Sequence, residues 1–180
     1  MPPRKARSTR PRAGFSLLEL LVVSVVVTVG VLGYTRAILQ TRCAERTSQE
    51  ALKVTNVASS ILEEMAGVEF SELYARYNGT AADDPADGKS PGATFPVDGL
   101  TDGRAAATCV LVFPEVGGPG QLREDSELKA LGLPRDLNGD GAIDSGDHSA
   151  DYILLPVLVR VEWTGVSRSR VEIKAIFSER

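Results

Sequence analysis

The chain has 180 residues and a formal net charge of −4, with 20 lysines and arginines against 24 aspartates and glutamates. Five of the basic residues precede Gly14 with no acid among them, so the rest of the chain holds 15 basic and 24 acidic residues, a balance of −9. This length allows one modest globular domain beside a membrane anchor. An acidic surface argues against nucleic-acid binding by that domain.

The N-terminus joins a basic head to an apolar run. Residues 1–13 contain the basic side chains Arg4, Lys5, Arg7, Arg10 and Arg12. The run from Phe15 to Leu32 is apolar except for Ser16, Glu19, Ser24 and Thr28. A bilayer core needs about 20 mostly apolar residues, and a helix satisfies its own backbone in lipid. The run therefore predicts a helix that spans the membrane to about residue 36, with the basic head in the cytoplasm.

The order of these segments differs from that of a secretory signal peptide, whose small-residue cleavage site follows the apolar region. Here the small-residue junction Ala13-Gly14 comes first, so cleavage there leaves the helix on the mature chain. Glu19 places a carboxylate inside the run, which costs roughly 2.5–3.5 kcal/mol at a bilayer centre and predicts a functional role. An ordinary signal anchor with an incidental glutamate is the alternative.

A basic leader followed by Gly14-Phe15-Ser16-Leu17-Leu18-Glu19-Leu20 resembles the type IV pilins and type II secretion pseudopilins. The resemblance implies that a prepilin peptidase cleaves between Gly14 and Phe15 and that the new amine of Phe15 is methylated. It also implies that Glu19 pairs with the amine of a neighbouring subunit. A cation of this kind would make a carboxylate tolerable in lipid.

After Tyr34 the helical pattern continues, because apolar residues recur mainly at intervals of three, four and seven positions. The first strong stop is Gly67. We therefore expect a leader over 1–14, one long helix over 15–66 and a globular headgroup over 67–180. Cys43 falls on the helix and Cys109 on a predicted strand; two buried thiols are favoured over a disulfide between them.

The remaining elements are shorter. We predict short helices at 69–74 and around 126–131, a surface loop at 78–102, and strands at 107–113, 154–163 and 171–177. The last two strands should form an antiparallel hairpin, and the second half of the long helix should cover the sheet. This α+β arrangement is the pilin fold. The strand containing Val159 to Trp163 and the Phe70–Leu73 segment resemble the PilV-like minor pilins and minor pseudopilins.

A calcium loop is predicted at 136–147. A loop of EF-hand type places oxygen ligands at positions 1, 3, 5, 7, 9 and 12 and glycine at position 6. The six ligand positions hold Asp136, Asn138, Asp140, Ala142, Asp144 and Asp147. This single loop, with Asp147 in place of glutamate, resembles those of dockerins and implies one calcium ion. A plain acidic turn is the alternative. Ile143 is expected to tie the loop to the core, and His148 to be a solvated loop residue.

The sequence shows no catalytic motif of a familiar kind, such as a nucleophile elbow or a P-loop. Together with the resemblance to the pilins, this predicts a non-enzymatic minor pilin or pseudopilin. The implied partners are other subunits, prepilin peptidase, an inner-membrane assembly platform and membrane lipid. The headgroup would be periplasmic, or extracellular on a filament. A membrane-anchored calcium-dependent binding protein that does not polymerise is the main alternative, and an anchored hydrolase is a third.

Overall fold

The computed structural model describes residues 16–102, 105–118, 120–165 and 168–179. The elements in chain order are helices α1 (Leu17–Ala66) and α2 (Phe70–Tyr77), strands β1 (Thr94–Asp102) and β2 (Ala105–Val112), a 3₁₀ turn (Lys129–Leu131), and strands β3 (Leu154–Thr164) and β4 (Arg168–Ser178). The chain divides into two compact units, Met1–Ala44 and Glu45–Arg180. The combination of a long helix and a sheet confirms the predicted α+β class and is consistent with the pilin fold.

The described part of the first unit is helical from Leu17 onward, and all of its side chains are exposed. Most of them are apolar as far as Leu32, on every side of the helix. A helix that is apolar all round belongs in a membrane or in the core of a large assembly. Helix α1 is accordingly long and apolar enough to cross a membrane. The predicted start of the helix at Phe15 lies outside the described residues.

In the second unit, α1 buries one face. Its buried residues are Val54, Ala58, Ile61 and Met65. The intervals of four, three and four positions place them on one side of an α-helix. These four residues belong to the same hydrophobic cluster as the inward side chains of the sheet. The predicted packing of the second half of the helix on the sheet is therefore confirmed.

The sheet has four strands in the order β1-β2-β3-β4, and each neighbouring pair is antiparallel. Strand β3 alternates as predicted, with Val157, Val159, Val161 and Trp163 in the main core. Leu158 is buried on the opposite face, where it packs with Leu131, Leu133 and Leu137. The chain segment that leads into the acidic loop thus covers part of the second face of the sheet.

Three structural expectations were wrong in part. The predicted loop at 78–102 contains β1, whose apolar alternation is broken by Pro96 and by Gly99 with its positive φ of 74°. The predicted helix around 126–131 is a single 3₁₀ turn. Both cysteines are thiols, but Cys109 is buried whereas Cys43 is exposed. Cys43 precedes the part of α1 that buries a face, so its thiol is exposed.

The helix face that packs on the sheet gives a direct test of the core. Ile61→Ala should lower the free energy of unfolding by about 2–5 kcal/mol, because it leaves a cavity in a close-packed cluster. Leu52→Ala, on the exposed side of the same helix, should change it by less than about 0.5 kcal/mol. Trp163 is the single tryptophan of the chain and is buried in this core. Its fluorescence during urea unfolding in detergent would report both values, and equal effects would contradict the assigned face.

Candidate functional site

The first candidate site is at the start of α1. Glu19 lies in the first turn, with an exposed side chain, and its backbone N–H donates to the carbonyl of Ser16 at 3.0 Å. Acidic side chains are stabilised near the N-terminus of a helix by about 0.3–1 kcal/mol. The carboxylate of Glu19 lies on the exposed surface of the described chain. The predicted cleavage and methylation residues, Gly14 and Phe15, lie outside the described residues.

The second candidate site is the acidic loop between the 3₁₀ turn and β3. Leu137 fastens its start, because this side chain is buried and its carbonyl accepts the N–H groups of Ile153 and Leu154 at 2.8 and 3.0 Å. Asp147 fastens its end, since its Oδ1 accepts the N–H groups of Leu122 and Ser149, each at 3.1 Å. Ile143 is 52% exposed, so the expectation that it ties the loop to the core was wrong.

The buried carboxylate of Glu124, which precedes the loop in the sequence, accepts hydrogen bonds from the backbone of the loop. Glu124 is 1% exposed and accepts three backbone N–H groups, from Leu137 at 2.6 Å, Asn138 at 3.3 Å and Asp144 at 3.2 Å. Burying a carboxylate is costly unless such hydrogen bonds replace its hydration. The sequence analysis missed Glu124, because a glutamate between a basic and an acidic residue gives no sign of burial.

The side chains of Asp136, Asn138 and Asp140, the first three predicted calcium ligands, accept hydrogen bonds from backbone N–H groups a few positions further along the loop. Asp136 accepts the N–H groups of Gly139 and Gly141. Asn138 accepts that of Asp140 at 3.1 Å. Asp140 in turn accepts the N–H of Ala142 at 2.7 Å. Gly141, the predicted position 6, has a φ of 85°, which a side chain would strain.

The structure does not gather all of the predicted ligands. Among the described His, Cys, Asp and Glu residues, the group with ligand atoms within 4.8 Å of one another is Glu124, Asp144 and His148. Of these, only Asp144 was a predicted calcium ligand. Asp136, Asp140 and Asp147 form no such group in the described part of the chain.

His148 is buried, with 7% of its surface exposed, so the expectation of a solvated residue was wrong. Its Nδ1 lies 3.1 Å from Asp151 Oδ1, and its Nε2 lies 3.2 Å from Asp144 Oδ1. Burial works to lower the pKa of His148, but the hydrogen bonds to Asp144 and Asp151 outweigh it and the pKa is raised. The N–H of Gly146, followed by His148, lowers the pKa of Asp144. The cluster is therefore arranged to stabilise positive charge.

Comparison with known proteins found a match for the N-terminal segment that contains the first candidate site. Residues 9–35 match the family model of the prokaryotic N-terminal methylation motif. This motif is typical of type IV pilins and pseudopilins, and it supports a pilin-like substrate of prepilin peptidase. No curated protein and no solved structure matches the chain. The chain thus carries a pilin-type N-terminus, whose match includes Gly14, Phe15 and Glu19. The family that the motif points to is generally non-enzymatic.

Proposed function

We propose that this protein is a minor pilin or pseudopilin, a non-enzymatic structural subunit of a type IV pilus or a type II secretion pseudopilus. The observation that carries the proposal is the methylation motif at 9–35, which covers the start of a helix with an exposed apolar surface. Cleavage between Gly14 and Phe15 would leave that helix on the mature chain. The preference for a minor subunit rests on the resemblance of the strand Val159 to Trp163 to PilV-like proteins.

The apolar surface of the helix would serve the subunit in two states, first anchored in the membrane and then assembled in a filament. Before assembly, the apolar half of α1 would hold the protein in the inner membrane, with the N-terminus cytoplasmic because basic residues remain on that side. During assembly, the same surface would leave lipid and pack against neighbouring subunits, with Glu19 paired to the amine of a neighbouring Phe15. Helices without a burial partner of their own can exchange lipid contacts for helix contacts in this way.

The alternative is a membrane-anchored, calcium-dependent binding protein that does not polymerise. The loop at 136–147 favours it, since this loop offers several carboxylates on the globular unit. The two functions differ in their dependence on prepilin peptidase and in their recovery with filaments.

Processing should depend on Gly14. Gly14→Val should leave the basic leader attached in cells that contain a prepilin peptidase, because a branched side chain crowds the junction. Gly30→Val is the matched control, since a Cβ at Gly30 meets nothing within 4 Å in the structure. Immunoblots would separate the cleaved and uncleaved chains. Normal cleavage of Gly14→Val would refute the assigned junction.

Glu19 should act in assembly and not in folding of the globular unit. Glu19→Gln removes an intramembrane charge and should ease membrane insertion, yet incorporation into sheared filaments should fall because the partner amine loses its counter-charge. Glu45→Gln changes an exposed glutamate farther along the same helix and should assemble normally. Equal recovery of both variants in filaments would remove this role from Glu19.

We also propose that the acidic loop binds one calcium ion through Asp136, Asn138, Asp140, the Ala142 carbonyl and Asp147, with Asp144 acting through water. The ligand spacing and the left-handed Gly141 support this. Extracellular sites of this kind bind in the range of about 10⁻⁴–10⁻³ M. Each of these carboxylates would supply an oxygen to the ion, and the ion would offset their mutual repulsion. The affinity for calcium should therefore depend on each of them.

Calcium should stabilise the full chain in detergent by about 2.7 kcal/mol at a hundredfold excess over its Kd. Asp140→Ala should abolish the rise in melting temperature. Asp84→Ala, which removes an exposed carboxylate outside the loop, should preserve it. Melting curves with millimolar calcium and with chelator would measure the effect. Indifference of the wild type to calcium would reduce the loop to an acidic turn.

A further inference from the structure

The side chains of Glu124, Asp144 and His148 surround a common point. His148 Nε2 lies 3.2 Å from Asp144 Oδ1 and 3.9 Å from Glu124 Oε2, and one ligand atom from each residue lies within 4.8 Å of the other two. Zinc binds imidazole nitrogen and carboxylate oxygen at about 2.0–2.2 Å, so neighbouring ligands of a tetrahedral ion are about 3.3–3.6 Å apart. The two distances from Nε2 bracket that spacing.

Two of the three side chains are held in place by hydrogen bonds to neighbouring groups; in Glu124 one of these bonds, from the N–H of Asp144, falls on Oε2, the oxygen that faces His148. Asp151 Oδ1 lies 3.1 Å from Nδ1 of His148, which leaves Nε2 facing Asp144 and Glu124. Metal-binding histidines commonly present the other ring nitrogen to a carboxylate in this way. Glu124 is fixed by backbone N–H groups and is almost fully buried. Binding of an ion would therefore cost little side-chain conformational entropy, because these two side chains are already fixed.

Space and charge also favour a cation. A Cβ built at Gly146 would lie 2.9 Å from Asp144 Oδ1 and 3.5 Å from His148 Nε2, so glycine keeps this side of the cluster open. Three carboxylates, those of Glu124, Asp144 and Asp151, lie around the one imidazole. The side chain of Asp144 is 56% exposed, which gives water access to the cluster.

We propose that Glu124, Asp144 and His148 bind one divalent transition-metal ion of the zinc class, with water completing its shell. An imidazole ligand favours zinc and its neighbours over calcium and magnesium. The site shares only Asp144 with the proposed calcium loop, and it does not depend on a role in filaments. The bound ion would fasten the segment around Glu124 to the end of the acidic loop.

Cobalt(II), a visible-absorbing substitute for zinc, is the probe. The full chain would be prepared in detergent without a polyhistidine tag and with Cys43→Ser, which removes the exposed thiol as a competing ligand. His148 is the single histidine of the chain, so any imidazole signal in nuclear magnetic resonance belongs to it. We expect one equivalent of cobalt to bind, zinc to displace it, and zinc to shift the His148 ring signals. Absence of stoichiometric binding, or binding without a change at His148, would overturn the proposal.

Variants separate this site from the calcium loop. His148→Gln should lower zinc affinity by at least tenfold in calorimetry, and Gly146→Ala should weaken it by crowding the ligand atoms without removing one. Asp151→Asn should lower it by about 10–100-fold, as changes behind a ligand histidine do. Asp84→Ala, which removes an exposed carboxylate outside both sites, should leave zinc binding unchanged. Retention of full zinc affinity in both Gly146→Ala and His148→Gln would place the ion elsewhere and contradict the proposal.

Discussion

Helix α1 is one continuous helix whose two halves have different surroundings: the first half is exposed on every side, and the second half buries one face. The rest of the structure depends on this difference. The first half of α1 offers exposed apolar side chains on every side, as a helix that crosses a membrane does. Its second half buries only the face that contains Val54, Ala58, Ile61 and Met65. The sheet gives that face its core. The methylation motif at 9–35 overlaps the start of the same helix and supports processing by a prepilin peptidase.

The acidic loop illustrates a second constraint, the need to balance buried negative charge. Glu124 is held by backbone N–H groups, and Nε2 of His148 lies 3.9 Å from its Oε2. The hydrogen bonds of Asp136 and Asp140 show how carboxylates can order a loop by accepting from the backbone. Cation binding would use the remaining lone pairs of these oxygens. Both proposed ions would therefore act on the stability of the globular unit and not on the apolar helix.

The sequence predicted those elements whose periodicity is long and unbroken. The helix and the strands β3 and β4 belong to this group, because a repeated pattern outweighs any single residue. Strand β1 was missed, since Pro96 and Gly99 interrupt it and pairing with β2 defines it. The cluster of Glu124 with His148 joins residues 24 positions apart, and no local pattern encodes such a contact. The exposure of Ile143 likewise depends on how the whole loop is fastened.

The proposed function requires that the chain is cleaved before its apolar helix and keeps that helix in the mature protein. Mass spectrometry of the protein extracted from membranes that contain an active prepilin peptidase tests this claim most directly. We predict an N-terminus at Phe15 with a methylated amine, followed by an intact α1 that includes Glu19. A mature chain that begins beyond Leu32, or one that retains Met1 in the presence of the active peptidase, would contradict it.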